Sequence, residues 1–213
     1  MRASVISVNV ASRVHEGEWT GKKGKTGIDK RQVIGPVRLA NNGVEGDVIV
    51  DTKVHGGYDQ AVYAYAREDA DWWSQEIGSD ITNGKFGENL TTQGIDVTNA
   101  FIGERWRIGE VILEVSQPRI PCRVFAGFWQ RPTLIKDFTA AKRPGAYLRI
   151  MQEGSISAGD YIEIIERPTH GVSVKDLFEA KSGNRIKLRN IAAVSQLSSE
   201  WREWVEKVIA SGA

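Results

Sequence analysis

Val5-Ile6-Ser7-Val8-Asn9-Val10 alternates apolar with small polar side chains, a period of two that predicts a first strand. Val33, Val37 and Leu39 predict a strand interrupted by Gly35-Pro36, and Val48-Ile49-Val50 another. Ala61-Val62-Tyr63-Ala64-Tyr65 is apolar enough for a strand covered on both faces. Phe86-Gly87-Glu88-Asn89-Leu90 is a glycine turn entering a short Thr-rich strand, and residues 102–110 read as a strand and turn leading into the β-branched run 111–115. Residues 146–151 and 161–165 are expected to pair as strands around Gly154 and the turn at 157–160. Among these strands a helix is predicted over 68–77, with acids in its first turn and Gly78 closing it. Two short helices, 124–129 and 134–141, are separated by Pro132. Trp72 and Trp73 on the first helix could line a site, although aromatic residues at helical spacing are more often packing.

The rhythm changes at Pro168. Ser173 and Asp176 fit a capping box ahead of Leu177 and Phe178, Gly183 ends that helix, and residues 191–194 suggest a second. Ser198 then caps a third, with Trp201, Trp204, Val205, Val208 and Ile209 on one face. The expected fold class is mainly β with α (α+β). A β-barrel is expected over residues 1–167, because closure removes exposed sheet edges, with a helical subdomain over 168–213. Residues 16–27 turn to Gly, Lys and Thr with Trp19 as the sole large apolar side chain, and are expected to form a mobile surface loop.

Composition narrows the function. A net charge of +1 argues against a broad nucleic-acid surface. No apolar run approaches the ~18 residues that cross a bilayer, and the first residues lack a signal-peptide core, so a cytoplasmic protein is expected. One cysteine cannot form an internal disulfide. Three histidines and that cysteine, none with another within five positions, make no closed zinc site of usual spacing, and an iron–sulfur cluster needs several cysteines. Gly24-Lys25-Thr26 resembles the end of a phosphate-binding loop, but Trp19 stands where its first glycine belongs.

The lone thiol is the focus of the remaining chemistry. Ser116-Gln117-Pro118-Arg119-Ile120-Pro121-Cys122 sets it beyond a strand end, between prolines that stiffen the loop and beside Arg119 and Arg123, which favour the thiolate. Free cysteine commonly fills cores, and that reading stands beside the reactive one. In Lys53-Val54-His55-Gly56-Gly57 the paired glycines admit positive φ and expose N–H groups to an anion, although the same pair is foremost a turn signal.

Four segments carry a resemblance. Gly43-Val44-Glu45-Gly46-Asp47, Lys53-Val54-His55-Gly56-Gly57, Gly87-Glu88-Asn89-Leu90 and Val115-Ser116-Gln117-Pro118-Arg119-Ile120-Pro121-Cys122, in this order, resemble the MOSC domain, named for the C-terminal domain of molybdenum-cofactor sulfurase. The tail after Pro168 resembles the three-helix appendix of the stand-alone bacterial YiiM-like branch. The resemblance implies a β-barrel and a molybdenum cofactor (molybdopterin), a pterin with a phosphate and a dithiolene. Cys122 would be the metal ligand, with His55 and Arg119 beside it in catalysis. Lys53, His55, Gly56, Gly57, Asn89, Ser116 and Arg119 would line the cofactor, while Glu45 and Asp47 hold their turn. The expected activity is reduction of N-hydroxylated compounds such as hydroxylaminopurines. A separate reductase would bring the electrons, because the chain has no flavin motif and too few cysteines for a cluster. Expected partners are thus a small-molecule substrate and that reductase, with a homodimer as the assembly, and neither nucleic acid nor membrane. The alternative is a sulfur carrier using a Cys122 persulfide, and a third reading is a partner-binding module touching through the Trp-bearing tail helix. Some family members are described as pyridoxal-phosphate binders, for which Lys53 would supply the amine; nothing in the sequence favours it.

Overall fold

The computed structural model describes residues 2–212. Its elements run β1 (Ser4–Ala11), β2 (His15–Glu16), β3 (Lys25–Thr26), β4 (Lys30–Gln32), β5 (Val37–Ala40), β6 (Gly43–Val44), β7 (Val62–Ala66), α1 (Arg67–Ile77), β8 (Leu90–Gln93), β9 (Arg105–Ile108) and β10 (Val111–Pro118). There follow α2 (Arg123–Phe128), α3 (Leu134–Ala141), β11 (Ala146–Gln152), β12 (Gly154–Ile156), β13 (Ile162–Glu166), α4 (Val174–Lys181), α5 (Leu188–Ala192) and α6 (Ser199–Ala210). Helix and strand are mixed throughout, as the α+β reading requires.

Eight strands form the main sheet, in the order β13-β9-β10-β11-β7-β8-β1-β4. β7 lies at its centre and is buried along its whole length, which explains why its sequence is apolar without alternation. It pairs antiparallel with β11 and parallel with β8. The expected closed barrel is not what forms. The sheet is open as a ladder, and β1 meets the beginning of β13 at one isolated bridge, Ser4↔Tyr161. Around that bridge, backbone N–H groups of Val5 and Ile162 donate to Asp160 and Ala3, but no continuous pairing extends from there.

Two strand expectations need correction. β11 and β13 do not pair with each other: β11 lies between β10 and β7, while β13 pairs with β9. β12 leaves this sheet to join β5 and β6 in a separate three-stranded one, which carries the chain away between the two. Val48-Ile49-Val50 is no strand either. It runs against Gly27, where a Cβ would come within 2.3 Å of the Val48 carbonyl, so the backbones are too close for any larger residue there. Nor is 16–27 a structureless loop: β2 and β3 form a small hairpin, and Trp19 stacks on Phe128 of α2 with ring centroids 6.3 Å apart.

The tail helices share the sheet's apolar core. Ser173 caps α4 through the expected box with Asp176, and Ser198 caps α6. Leu177, Ile191, Trp201 and Val205 are buried in the same cluster as Val5, Trp106 and Leu113. Arg149 on β11 adds a polar tie, donating to Glu114 (2.7 Å) on β10, to Asp59 (2.7 Å) and to the Gln196 carbonyl (2.9 Å) ahead of α6. A second, aromatic cluster under α1 and α3 holds Trp73, Phe86, Phe125 and Phe138, so Trp73 is packing as read.

Candidate functional site

One end of the main sheet opens into a cavity of about 300 Å³. β10 stops at Pro118, and the stiffened segment beyond it delivers Arg119 and Cys122 to that end. Tyr63 and Tyr147, directly paired across β7 and β11, form part of the wall. Asn89 enters just ahead of β8, Lys30 at the start of β4, and the segment after β6 brings Asp51, His55 and Gly56. The β2–β3 hairpin closes another side with Lys22, Lys23 and Lys25.

Cys122 is half-buried rather than sealed in hydrocarbon. Burial pushes its thiol up, but hydrogen bonding by His55, the positive field of Arg119 and the backbone N–H of Phe125 together bring it down to about 7. Arg123, which the sequence reading placed beside the thiol, lines the cavity but is not among those influences. In metal-free protein, alkylation of Cys122 by iodoacetamide is expected to reach half its limiting rate near pH 7, followed by intact mass. A midpoint at the unperturbed thiol value of about 8.5 would mean that His55 and Arg119 do not act on it.

Arg119 is fixed in place. Its guanidinium donates to the Phe86 carbonyl (2.7 Å) and lies 4.1 Å from the centre of the Phe125 ring, leaving it buried yet facing the cavity. Beneath it, Lys30 is ion-paired with Asp47. Asp47 also accepts from Asn89 Nδ2 (2.8 Å) and the Ala11 N–H (2.9 Å), so one carboxylate joins β1, β4 and the turn that leads into β8. Burial pushes Asp47 up, but Lys30 and these donors hold it below the usual carboxylate range. Glu88, fully buried and raised by that burial, accepts from the Gly84 N–H (2.6 Å), the Phe86 N–H (2.9 Å) and Thr91 Oγ1 (2.8 Å). It thereby shapes the turn that carries Gly87 and Asn89 to the cavity.

Of the residues singled out from sequence, His55, Gly56, Asn89, Arg119 and Cys122 come together here. Three do not. Ser116 is buried within β10, its Oγ within hydrogen-bond distance of the Asp59 (2.5 Å) and Tyr147 (2.9 Å) carbonyls, and it lies outside the cavity wall. Gly57 serves the turn instead, at φ 76° ahead of a short 3-10 turn. Lys53 lines a neighbouring cavity. Asn89 faces the site with its amide already engaged: Oδ1 accepts from the Tyr63 N–H (3.1 Å), and Nδ2 donates to Asn9 as well as Asp47. Sequence reading missed Lys30, Asp51, Gln60, Tyr63 and Tyr147, because each lies in an ordinary strand or turn and only pairing across the sheet gathers them.

The donor set suits a molybdenum-pterin group. Cys122 is a soft ligand. Arg119 and the hairpin lysines complement a phosphate, and two buried acceptor oxygens without partners, Asp51 Oδ1 and Gln60 Oε1, suit the N–H edge of a pterin ring. Gly56 sits at φ 77°, in the left-handed region that favours glycine, so the chain turns sharply where it meets the cavity. Among the described residues, no group of three or more His, Cys, Asp or Glu could hold a metal ion.

A family model described as MOSC domain matches residues 51–163, which include Cys122, Arg119 and His55. The protein YflK of Bacillus subtilis is 34% identical over 206 residues, covering 94% of this chain and 92% of its own. A Gibberella moniliformis protein named reductase is 31% identical over 191 residues; the match spans 88% of this chain and 34% of the fungal protein. Among solved structures, YiiM of Geobacillus stearothermophilus superposes with a TM-score of 0.80 at 29% identity, covering 96% of this chain and 98% of that one. No helix among the described residues is long and apolar enough to cross a membrane.

Proposed function

Because this chain belongs to the MOSC domain family, in its YiiM-like branch, we propose that it binds a molybdenum cofactor through Cys122 and reduces N-hydroxylated small molecules at that site. The observation that carries this reading is the cavity's composition: one activated thiol, cations enough for a phosphate, and unpartnered acceptors for a ring edge. The similarity to a fungal reductase supports the same class of reaction.

A bound cofactor, held through Cys122 and Arg119, would supply a two-electron redox centre for reductive cleavage of the N–O bond. In balance, R–NH–OH with two electrons and two protons becomes R–NH2 and water. The chain's own residues do the rest. Cys122 ligates through its thiolate, which its lowered pKa makes available at neutral pH. Arg119 and the hairpin lysines would hold the anionic end of the cofactor, Lys30 being committed to Asp47. His55, exposed at the cavity and acting on Cys122, is the proton donor to the departing hydroxyl. Electrons come from a separate reductase partner.

The test compares protein from a host that makes the cofactor with protein from a host that cannot. Molybdenum, measured by elemental mass spectrometry, should be stoichiometric in the first and absent from the second. Equal background in both overturns the reading. If intact mass then shows an extra sulfur on Cys122 that a thiol removes, the persulfide carrier replaces it.

A further inference from the structure

The β2–β3 hairpin, which brings Lys22, Lys23 and Lys25 to the Cys122 chamber, is held by different means at its base and at its tip. The base is pinned by polar bonds. The Ser12 N–H donates to the Asp29 carbonyl (2.9 Å), and the buried Asp29 carboxylate holds His15 (3.0 Å) and Arg31 (2.8 Å). The tip, residues 17–24, is bonded to itself: the N–H groups of Thr20 and Gly24 donate to the Gly17 and Gly21 carbonyls, and that of Gly17 donates to Gly24. It rests on α2, the helix that begins at the residue after Cys122. There Trp19 lies on Phe128, and His15 meets Trp19 edge-on with centroids 5.5 Å apart. Among the described residues, no hydrogen bond or ion pair joins the tip to α2.

The contact between tip and helix is close but apolar. A Cβ on Gly127 would come within 3.0 Å of Trp19 Cβ, and one on Gly21 within 3.1 Å of Val124 Cγ2, so glycines on both partners let the two surfaces meet. Gly17 and Gly24, at φ 127° and 68°, mark the two ends of the tip, where glycine absorbs a change of backbone angle at least cost. The tip can therefore turn as a unit and keep its own bonds. The chamber itself gives a reason for it to do so. Its volume of about 300 Å³ stands at the lower limit of sites for drug-sized molecules, which enclose ~70–90% of their ligand's surface. A ligand that fills such a space has to be walled in after it has entered.

We propose that the hairpin tip is a flap over the Cys122 chamber: it lifts off α2 by parting Trp19 from Phe128, admits an anionic ligand, and is drawn shut by that ligand because cations that bind it ride on the flap. Which anion it admits rests on the cofactor reading above; the movement does not. Binding and closure are one event, since Lys22 and Lys23 line the chamber only while the flap is shut. The anion thereby has the differential affinity for the shut state that shifts the two populations. Closing also expels water, which strengthens each charged contact inside.

Access to Cys122 in the metal-free, full-length protein tests it. The readout is the ratio of two alkylation rates at one pH: with pyrene maleimide, a bulky uncharged reagent that needs the flap open, over iodoacetamide, which does not. Trp19→Ala should raise this ratio about tenfold, near the upper worth of an aromatic pair, while Trp19→Phe stays close to wild type. Inorganic pyrophosphate should lower the ratio in wild type and leave it unmoved in the double variant Lys22→Ala with Lys23→Ala. Trp19→Cys with Gly127→Cys, oxidised and shown by peptide mass to be joined to each other, should hold the ratio at least about tenfold below wild type, the two positions being near enough for a disulfide after a small shift. A wild-type ratio in Trp19→Ala or in the oxidised pair, or pyrophosphate without effect on wild type, overturns the flap. Ratios that move as expected in a protein that never acquires molybdenum uphold the flap and refute the cofactor reading.

Discussion

Cys122→Ala is expected to strip molybdenum from protein purified out of a cofactor-making host and to abolish reduction of N-hydroxylated substrates. The thiolate is the single soft donor at the cavity, and alanine leaves nothing in its place. Loss of activity should exceed the ~10–100-fold that outer partners of a metal site command, since the proposed ligand itself is gone. Cys122→Ser keeps the size but offers a hard, protonated oxygen, and is expected to fall nearly as far. Both variants should fold: Cys122 is only half-buried and closes no buried hydrogen-bond network. Elemental analysis finding wild-type molybdenum in Cys122→Ala, with activity intact, would end the assignment.

Asp47→Ala should be the most damaging substitution for stability near the site. Asp47 is nearly inaccessible and faces Lys30, whose ammonium is itself buried, so its removal strands a charge. Breaking one side of a buried pair costs about 3–5 kcal/mol. Urea unfolding should report it as a lower midpoint at unchanged slope. Asp47→Asn, which keeps an acceptor for Asn89 and Ala11, should lose less. The pH dependence has a definite sign. Asp47 is held below its unfolded value by Lys30 against burial, so its contribution is complete above the unfolded carboxyl value near ~3.9 and fades as pH falls through the lower native value. Wild-type stability should therefore drop in that acid range, and Asp47→Ala should lose this part of the slope. A variant as stable as wild type would mean that Lys30 finds water instead.

Local signals in the sequence were legible wherever one physical cause dominated. β1 shows its alternation, α1 its acidic start and its left-handed Gly78, and α4 and α6 their serine caps. Where pairing depends on distant partners the pattern misled. β11 and β13 look alike as apolar runs, yet they are taken up by different neighbours. Val48-Ile49-Val50 reads as a strand and instead lines the cavity, because Gly27 lets two backbones meet there. The site divides in the same way. Cys122, Arg119, His55 and Asn89 stand out by chemistry and motif, and they do converge. Ser116 stands beside them in the motif but points its hydroxyl into the sheet, since alternate residues of β10 face opposite ways. Asp51 and Gln60 carry no sequence mark at all; their interest lies in acceptors left without a donor, which is a property of three dimensions.

The bridge between Ser4 and Tyr161 and the gathering of Lys30, Asn89, Cys122 and Tyr147 around one opening mean that almost nothing about this chamber is local. Every wall comes from a segment whose neighbours in space are remote along the chain, so loop closure makes its assembly slow and late. A nascent chain that ends before residue 147 lacks Tyr147 and with it the β11 wall of the chamber. Acquisition of any large prosthetic group therefore belongs to the finished molecule, after translation rather than during it.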